Sequence, residues 1–153
     1  MAIRDLYMSI SGSFILPEEQ SAVEAIDVIR DEFDLFDDWT QRYRYLIELG
    51  NNLPAFPVEW QNDKFRVVGC QSQVWLNYSR EGNKYYFAGS SDAVIVKGLI
   101  ALLLRIYSGR TAEEILKIDP GFVKDLGLAG ALSANRSNGV MSMVKAIQHI
   151  ASQ

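Results

Sequence analysis

The chain has 153 residues, of which 48% are hydrophobic and 22% charged, and its 19 acidic and 15 basic side chains give a formal net charge of −4. This composition is typical of one globular domain and excludes a disordered chain. An acidic surface gains little from a phosphate backbone, so we expect no nucleic-acid partner. The longest apolar run, residues 99–104, is too short for a membrane span. The N-terminal residues lack a signal-peptide pattern, so we expect a cytoplasmic protein.

Residues 1–16 show no clear hydrophobic period and are interpreted as an irregular N-terminal extension, followed by a single domain over residues 17–153. Pro17 and the two glutamates after it suit the first turn of a helix, where a missing N–H costs nothing and acidic groups favour the helix dipole. Apolar residues then recur at helical spacing, at Val23, Ile26, Ile29, Phe33 and Phe36. A second helix is predicted from Asp37 or Asp38 to Gly50.

After the prolines at positions 54 and 57 the pattern changes to that of strands. The stretches KFRVV (64–68) and QVWLNYSR (73–80) carry the β-branched and aromatic residues of strands. A short turn at 81–83 predicts a hairpin, with KYYFAG (84–89) as the returning strand.

The remaining chain predicts three helices. Ser90 or Ser91 can cap the first, which ends at Gly109 and is apolar nearly all round, so we expect it to be the buried centre of the fold. Thr111 and Glu114 predict a capping box for a short helix. The last helix has one apolar stripe, formed by Val140, Met143, Val144, Ile147 and Ile150. The predicted fold class is therefore α+β, a small antiparallel sheet covered by helices.

Cys70 and His149 are the only residues of their kinds. A single cysteine excludes an internal disulfide and fits a reducing compartment. Structural zinc sites and iron–sulfur clusters normally take several Cys or His ligands, so we expect no metal site.

The thiol lies in the stretch RVVGCQSQVW, residues 66–75. An isolated cysteine is most often a small, inert, buried residue. Here, however, Gly69 indicates an unusual backbone angle. Gln71, Ser72 and Gln73 are poor core neighbours but good hydrogen-bond donors around a sulfur anion. The position also falls between two predicted strands, where the tip of a loop would present the side chain.

A reactive cysteine must ionise, and its reference pKa of about 8.5 leaves little thiolate near neutral pH. No lysine or arginine follows Cys70 within the next few residues to lower that pKa. Such a thiol is a poor hydrolytic nucleophile but suits sulfur exchange, in which the partner supplies the activation. His149, the one candidate base for a thiol hydrolase, lies off the apolar stripe of the last helix and is interpreted as a surface residue.

Several stretches together resemble the SufE family of cysteine desulfuration proteins. They are YLIELGNNLP (45–54), GCQSQVW (69–75), SDAVIVKGLIALLLRIYSGRTAEEIL (91–116) and LSANRSNGVMSMVKAI (132–147). The order and the gaps are similar to those of the family. The chain departs from it in the N-terminal extension and in the residue before Arg136, where the family commonly has proline.

The resemblance implies the fold that SufE shares with the IscU-type scaffold proteins. It implies that Cys70 is a sulfur acceptor, which takes persulfide sulfur from a SufS-type cysteine desulfurase, activates that enzyme and relays the sulfur to downstream iron–sulfur scaffold proteins. It also implies no independent turnover and no cofactor on this chain, since pyridoxal phosphate belongs to the desulfurase. Two alternatives stay open: a regulatory module that binds the desulfurase without taking sulfur, and a Cys70–His149 thiol hydrolase. Both a monomer and a homodimer are compatible with the sequence.

The resemblance further implies that Asp92 and Arg136 match charged positions of the family. Because Asp92 follows the predicted hairpin, we expect it near the cysteine loop, either bonding to the N–H groups of the loop or capping the next helix. Arg136 is expected to meet a carboxylate of the desulfurase or to steady a departing thiolate, its alternative being a plain surface residue. Loop and partner contacts are expected from Gly69, which would act as a hinge, and from Gln71, Ser72 and Gln73. An apolar cover for the loop is expected from Val67, Val68 and Trp75.

Overall fold

A computed structural model of the chain describes residues 12–127 and 134–153, and within the second range the side chains from residue 138 onward. Within these ranges the strands form one antiparallel sheet, in which they lie side by side in chain order. None of the helices in the described part of the chain has the length and apolarity of a membrane span. The elements in chain order are α1 (Ala22–Asp34), α2 (Trp39–Asn51), a 3-10 turn (Val58–Trp60), β1 (Val74–Glu81), β2 (Lys84–Ser91), α3 (Val94–Tyr107), β3 (Arg110–Thr111), α4 (Ala112–Lys117), α5 (Phe122–Asp125) and α6 (Ala134–Ala151).

Helix α3 is the centre of the fold, as its apolar sequence predicts. Nine of its residues are buried, and the helix contacts α1, α2, α6 and β2. A Cβ on Gly98 would lie 2.1 Å from the carbonyl oxygen of Leu46 in α2, so this glycine sets how closely α2 and α3 approach. The predicted α+β class, a small antiparallel sheet covered by helices, is confirmed.

Strands β1 and β2 form the predicted hairpin. Val74 pairs with Ser91 at one end and Glu81 with Lys84 at the other, which leaves a two-residue turn of Gly82 and Asn83. Gly82 has a φ of 64°, a conformation that glycine adopts without strain. The hairpin therefore brings Ser91 and the residue after it back to the start of β1, next to the cysteine loop.

The predicted start of the first helix is wrong. The helix begins at Ala22, after Ser21, whose hydroxyl accepts a hydrogen bond from the Glu24 N–H at 3.1 Å. The glutamates assigned to its first turn instead form ion pairs with Arg105 of α3, at 3.0 Å for Glu18 and 2.8 Å for Glu19. The prediction failed because Glu18 and Glu19 pair with Arg105, which is distant in sequence, and do not interact with a helix dipole. The predicted stripe also fails at both ends, because Val23 is 65% exposed and Phe36 lies beyond the helix.

The predicted strand KFRVV is also wrong. Asn62 to Phe65 form a turn, and of the stretch only Arg66 makes a β-bridge, to Trp75. Two backbone hydrogen bonds fix this short pairing, from the Val67 N–H to the Val74 carbonyl at 2.8 Å and from the Leu76 N–H to the Phe65 carbonyl at 2.9 Å.

The predicted helix caps are partly wrong. Helix α3 starts after Ala93, and the Ser91 hydroxyl accepts from the Ala93 N–H at 3.1 Å without bonding to the first turn. Thr111 does cap α4 by accepting from the Glu114 N–H at 3.1 Å. The carboxylate of Glu114 completes no box, because it accepts from the Ala22 N–H at 2.7 Å and so ties α4 to α1.

The segment that precedes residue 17 contacts the sheet where the structure describes it. The Ile15 N–H donates to the Phe87 carbonyl at 2.8 Å, and Phe14 is buried beside Tyr86 and Ala88. The division of the chain at residue 17 stays a prediction, and residues 1–11 lie outside the described part.

The close approach of α2 and α3 gives a stability test. Gly98→Ala should lower the free energy of unfolding by about 2 kcal/mol or more, because the new methyl group overlaps the Leu46 carbonyl. At an unhindered helical site the same change is stabilising by up to about 1 kcal/mol. The matched control is Gly139→Ala in α6, where the Cβ would meet the Cys70 sulfur at an ordinary 3.6 Å. Urea unfolding of both variants measures the difference, and equal stabilities would show that the α2–α3 contact is looser than described.

Candidate functional site

Cys70 lies in the short loop that connects Arg66, the bridge partner of Trp75, to the start of β1. The loop is closed at its base by the hydrogen bond between Val67 and Val74, and both residues are buried. Gly69 has a φ of 99°, as its position before the cysteine suggested. A Cβ at Gly69 would lie 2.4 Å from the Ser142 hydroxyl of α6. Any other residue there would be strained by this backbone angle, and its Cβ would displace the Ser142 hydroxyl.

The thiol of Cys70 is half-buried and faces α6. Its S–H donates a hydrogen bond to the carbonyl of Gly139, with 3.6 Å between sulfur and oxygen. A Cβ on Gly139 would lie 3.6 Å from the sulfur, an ordinary contact distance, so the thiol packs directly against this turn of the helix. Gly139 is a site residue that sequence reasoning missed, because it is distant from Cys70 along the chain.

The cover around the loop is only partly as expected. Val67 and Trp75 are buried, but Val68 is 89% exposed, so the prediction that Val68 shields the loop is wrong. The Gly69 turn that follows Val68 directs the chain towards α6 and leaves the valine side chain in solvent.

Two opposing effects act on the pKa of the Cys70 thiol. Burial raises it above its ordinary value, because a half-buried site disfavours the thiolate, and the nearby Arg66 guanidinium offsets part of this increase. Arg66 lies before Cys70 in the sequence, whereas the few residues that follow the cysteine supply no cation. Near neutral pH the free protein therefore holds Cys70 mainly as the unreactive thiol.

Asp92 restrains the cysteine loop. Its carboxylate accepts a hydrogen bond from the Gln73 N–H at 3.0 Å, and its own N–H donates to the Gln73 carbonyl at 3.3 Å. The expected proximity to the loop is confirmed. The alternative of a helix cap is wrong, because Ala93 occupies the N-cap position of α3 and no side chain caps it.

The polar residues after Cys70 do not surround its sulfur. Gln71 and Gln73 are exposed and Ser72 is half-buried, and the hydrogen bond of the thiol goes to Gly139 and to none of their side chains. Donation by these residues to a sulfur anion therefore stays a prediction, because the thiol is itself the donor in this structure. The backbone of Arg136 is part of α6, but its side chain lies outside the described part of the structure. The role of Arg136 therefore stays a prediction.

His149 is not paired with the thiol. Its ring is exposed and contacts the Gln153 amide at 3.3 Å, whereas Cys70 bonds to Gly139. Gly139, which the thiol contacts, and His149 are ten residues apart in α6, or about 15 Å along the helix. The surface interpretation of His149 agrees with this geometry, and no Cys–His hydrogen bond assembles a hydrolase. Among the residues that the structure describes, no group of His, Cys, Asp or Glu could hold a metal ion.

The fold and the site define a class of protein: a small α+β domain whose one cysteine is held against a helix by a restrained loop. The chain belongs to the SufE family, since residues 27–151 match the family described as the Fe-S metabolism associated domain.

Relatives agree with this membership, and a solved structure shares the fold. The chain is 44% identical to an uncharacterized SufE-like protein of Rhizobium etli, over 85% of this chain and 91% of that one. It is 39% identical to the sulfur acceptor protein CsdE of Escherichia coli K12, over 79% of this chain and 84% of the relative. The solution structure of a hypothetical protein from Thermus thermophilus has the same fold, with a TM-score of 0.67, 22% identity and coverage of 86% and 93% of the two chains.

The hydrogen bond from the loop to Asp92 predicts a variant in which Cys70 is more reactive while the protein stays nearly as stable. Asp92→Ala should speed alkylation of Cys70 severalfold, because the loop leaves α6 more often. It should cost no more than about 1 kcal/mol of stability, as one exposed hydrogen bond is lost. Asp92→Asn retains an acceptor oxygen and is the matched control. An alkylation rate that Asp92→Ala leaves unchanged would show that Asp92 does not hold the thiol in place.

The raised pKa predicts a pH profile for the thiol. The rate of Cys70 alkylation should rise with pH and reach its midpoint above the value of a free cysteine, since the thiolate is the reactive form. Arg66→Ala should move this midpoint higher still, because it removes the favourable charge. Unfolding the protein in urea should return the midpoint to that of free cysteine. A folded-state midpoint below the urea value would contradict the assignment of burial as the main effect.

Proposed function

We propose that the protein accepts sulfane sulfur from a cysteine desulfurase at Cys70 and relays it for iron–sulfur cluster assembly. The observation that carries this proposal is the placement of the single thiol on a loop that α6 covers and that few bonds restrain. Membership of the SufE family and the likeness to a protein named as a sulfur acceptor support the proposal.

The transfer step is a thiol–persulfide exchange. The Cys70 thiolate attacks the terminal sulfur of the desulfurase persulfide, a bond forms between the two sulfurs, and the sulfur–sulfur bond of the desulfurase breaks. The desulfurase cysteine leaves as a thiolate and takes up the proton that Cys70 lost. The products are Cys70 persulfide and a free desulfurase thiol, so no external oxidant or reductant is needed. Pyridoxal phosphate is bound by the desulfurase and not by this chain, which has no catalytic turnover of its own in this proposal.

Docking must free the thiol before it reacts. In the free protein Cys70 rests on Gly139, and burial raises its pKa. A partner that draws the loop away from α6 exposes the sulfur, restores its ordinary acidity and leaves Arg66 to favour the thiolate. Gly69 serves as the hinge in this proposal, because its backbone is the least restricted in the loop. After transfer, return of the loop to α6 would shield the persulfide from other thiols and oxidants.

The partner contacts proposed for the loop are its exposed polar residues. Gln71 and Gln73 face solvent, with Ser72 between them, and can bond to a desulfurase surface. Arg136 is proposed to meet a carboxylate of a SufS-type desulfurase or the departing thiolate, and iron–sulfur scaffold proteins are the proposed recipients. The reaction suits a reducing cytoplasm, where a lone thiol persists.

Intact mass tests the function. Incubated with a cysteine desulfurase and free cysteine, the protein should gain the mass of one sulfur, and a reductant should remove it. Cys70→Ser should gain none and should no longer stimulate alanine release. If the wild type gains no sulfur, or if Cys70→Ser gains as much, the acceptor role is wrong. Full stimulation by Cys70→Ser would indicate a regulatory module instead.

A further inference from the structure

A groove lies beside the cysteine loop, and apart from Arg66 its lining has no role in the transfer step described above. Its volume is about 550 Å³, and it is lined by the stretch from residue 64 to 68, by β1 and by the C-terminal half of α6. The apolar lining includes Val67, Leu76 and Ile150. Two further lining residues, Val68 and Tyr78, are 89% and 40% exposed. Exposed apolar side chains around a groove are typical of an interaction surface.

The charge around the groove is opposite to that of the whole protein. Lys64, Arg66 and Lys145 line it, whereas none of its described lining residues is acidic. The chain as a whole carries a net charge of −4. The three cations are exposed, and none forms an ion pair with a residue that the structure describes. The Lys64 ammonium lies 5.3 Å from the centre of the Phe65 ring, at the wall of the groove.

The groove is continuous with the cysteine loop. Val68, in its lining, directly precedes the Gly69 hinge, and Ser142, also in its lining, is the residue against which Gly69 packs. An occupant that moves Val68 or separates the loop from Ser142 therefore acts on the backbone that holds Cys70.

We propose that this groove docks an acidic, partly apolar segment of the cysteine desulfurase, an inference that rests on the proposed function. The apolar side chains of the segment fill the groove, and its carboxylates meet Lys64, Lys145 and Arg66. Complementary charge of this kind raises the rate of encounter and fixes the register of two surfaces. Docking here holds the desulfurase beside the loop and couples binding to release of the thiol.

Charge reversal tests the groove apart from the chemistry. The variants are Lys64→Glu and Lys145→Glu, each made in the Cys70→Ser background, and titration calorimetry with the desulfurase measures Kd. Each reversal should weaken binding about fivefold, and the double variant should weaken it further and reduce the salt dependence. The matched control is Lys124→Glu on α5, an exposed lysine outside the groove, which should leave Kd unchanged. Circular dichroism confirms that each variant is folded.

The outcomes separate the two proposals. If Lys145→Glu and Lys64→Glu bind as tightly as Lys124→Glu, the groove is not the docking site, and sulfur gain by the wild-type protein keeps the acceptor role. If the wild type binds the desulfurase and gains no sulfur, the acceptor role fails, and with it the inference that docking here serves transfer. The proposal stands if the groove variants bind weakly, the control binds normally and the wild type gains sulfur.

Discussion

The pair of hydrogen bonds between Asp92 and Gln73 is the restraint on which the site depends. Asp92 follows the last residue of β2, one residue before the N-cap of α3, so its position is set by the sheet and by the most buried helix of the fold. Through Gln73 it fixes one side of the cysteine loop, while Gly69 meets α6 on the other. The thiol is thereby held between the end of the hairpin and α6, although its own loop contributes few buried residues.

This arrangement reconciles two demands on a sulfur carrier. A persulfide must be shielded between transfers, and the same sulfur must reach the site of another protein. A deeply buried cysteine would meet the first demand alone, and a fully exposed one would meet the second alone. Under the proposed function, a half-buried thiol that one weak bond holds to the Gly139 carbonyl would meet both, because such a bond costs little free energy to break. The basic groove beside the loop would supply the binding energy for that release.

The sequence predicted the elements that local patterns determine and missed those that distant partners determine. The hairpin, α2, α3 and the stripe of α6 follow from periodicity and turn chemistry, which neighbouring residues fix. The start of α1 was wrong because Arg105 takes the two glutamates, and the two-residue strand β3 was missed because it forms only by pairing with β2. In the site, Cys70, Gly69 and Asp92 could be found from their neighbours and from the family resemblance. Gly139 and Ser142 could not, since nothing in a sequence indicates which turn of a distant helix lies against a loop.

The central claim is that sulfur is carried on Cys70 and on no other residue, and peptide mapping tests it most directly. Trypsin cleaves after Arg66 and Arg80, so Cys70 lies in the peptide of residues 67–80. After reaction with a cysteine desulfurase and cysteine, followed by alkylation, this peptide should carry one extra sulfur between Cys70 and the alkyl group, and every other peptide should be unchanged. An unchanged 67–80 peptide from protein that has stimulated the desulfurase would contradict the account.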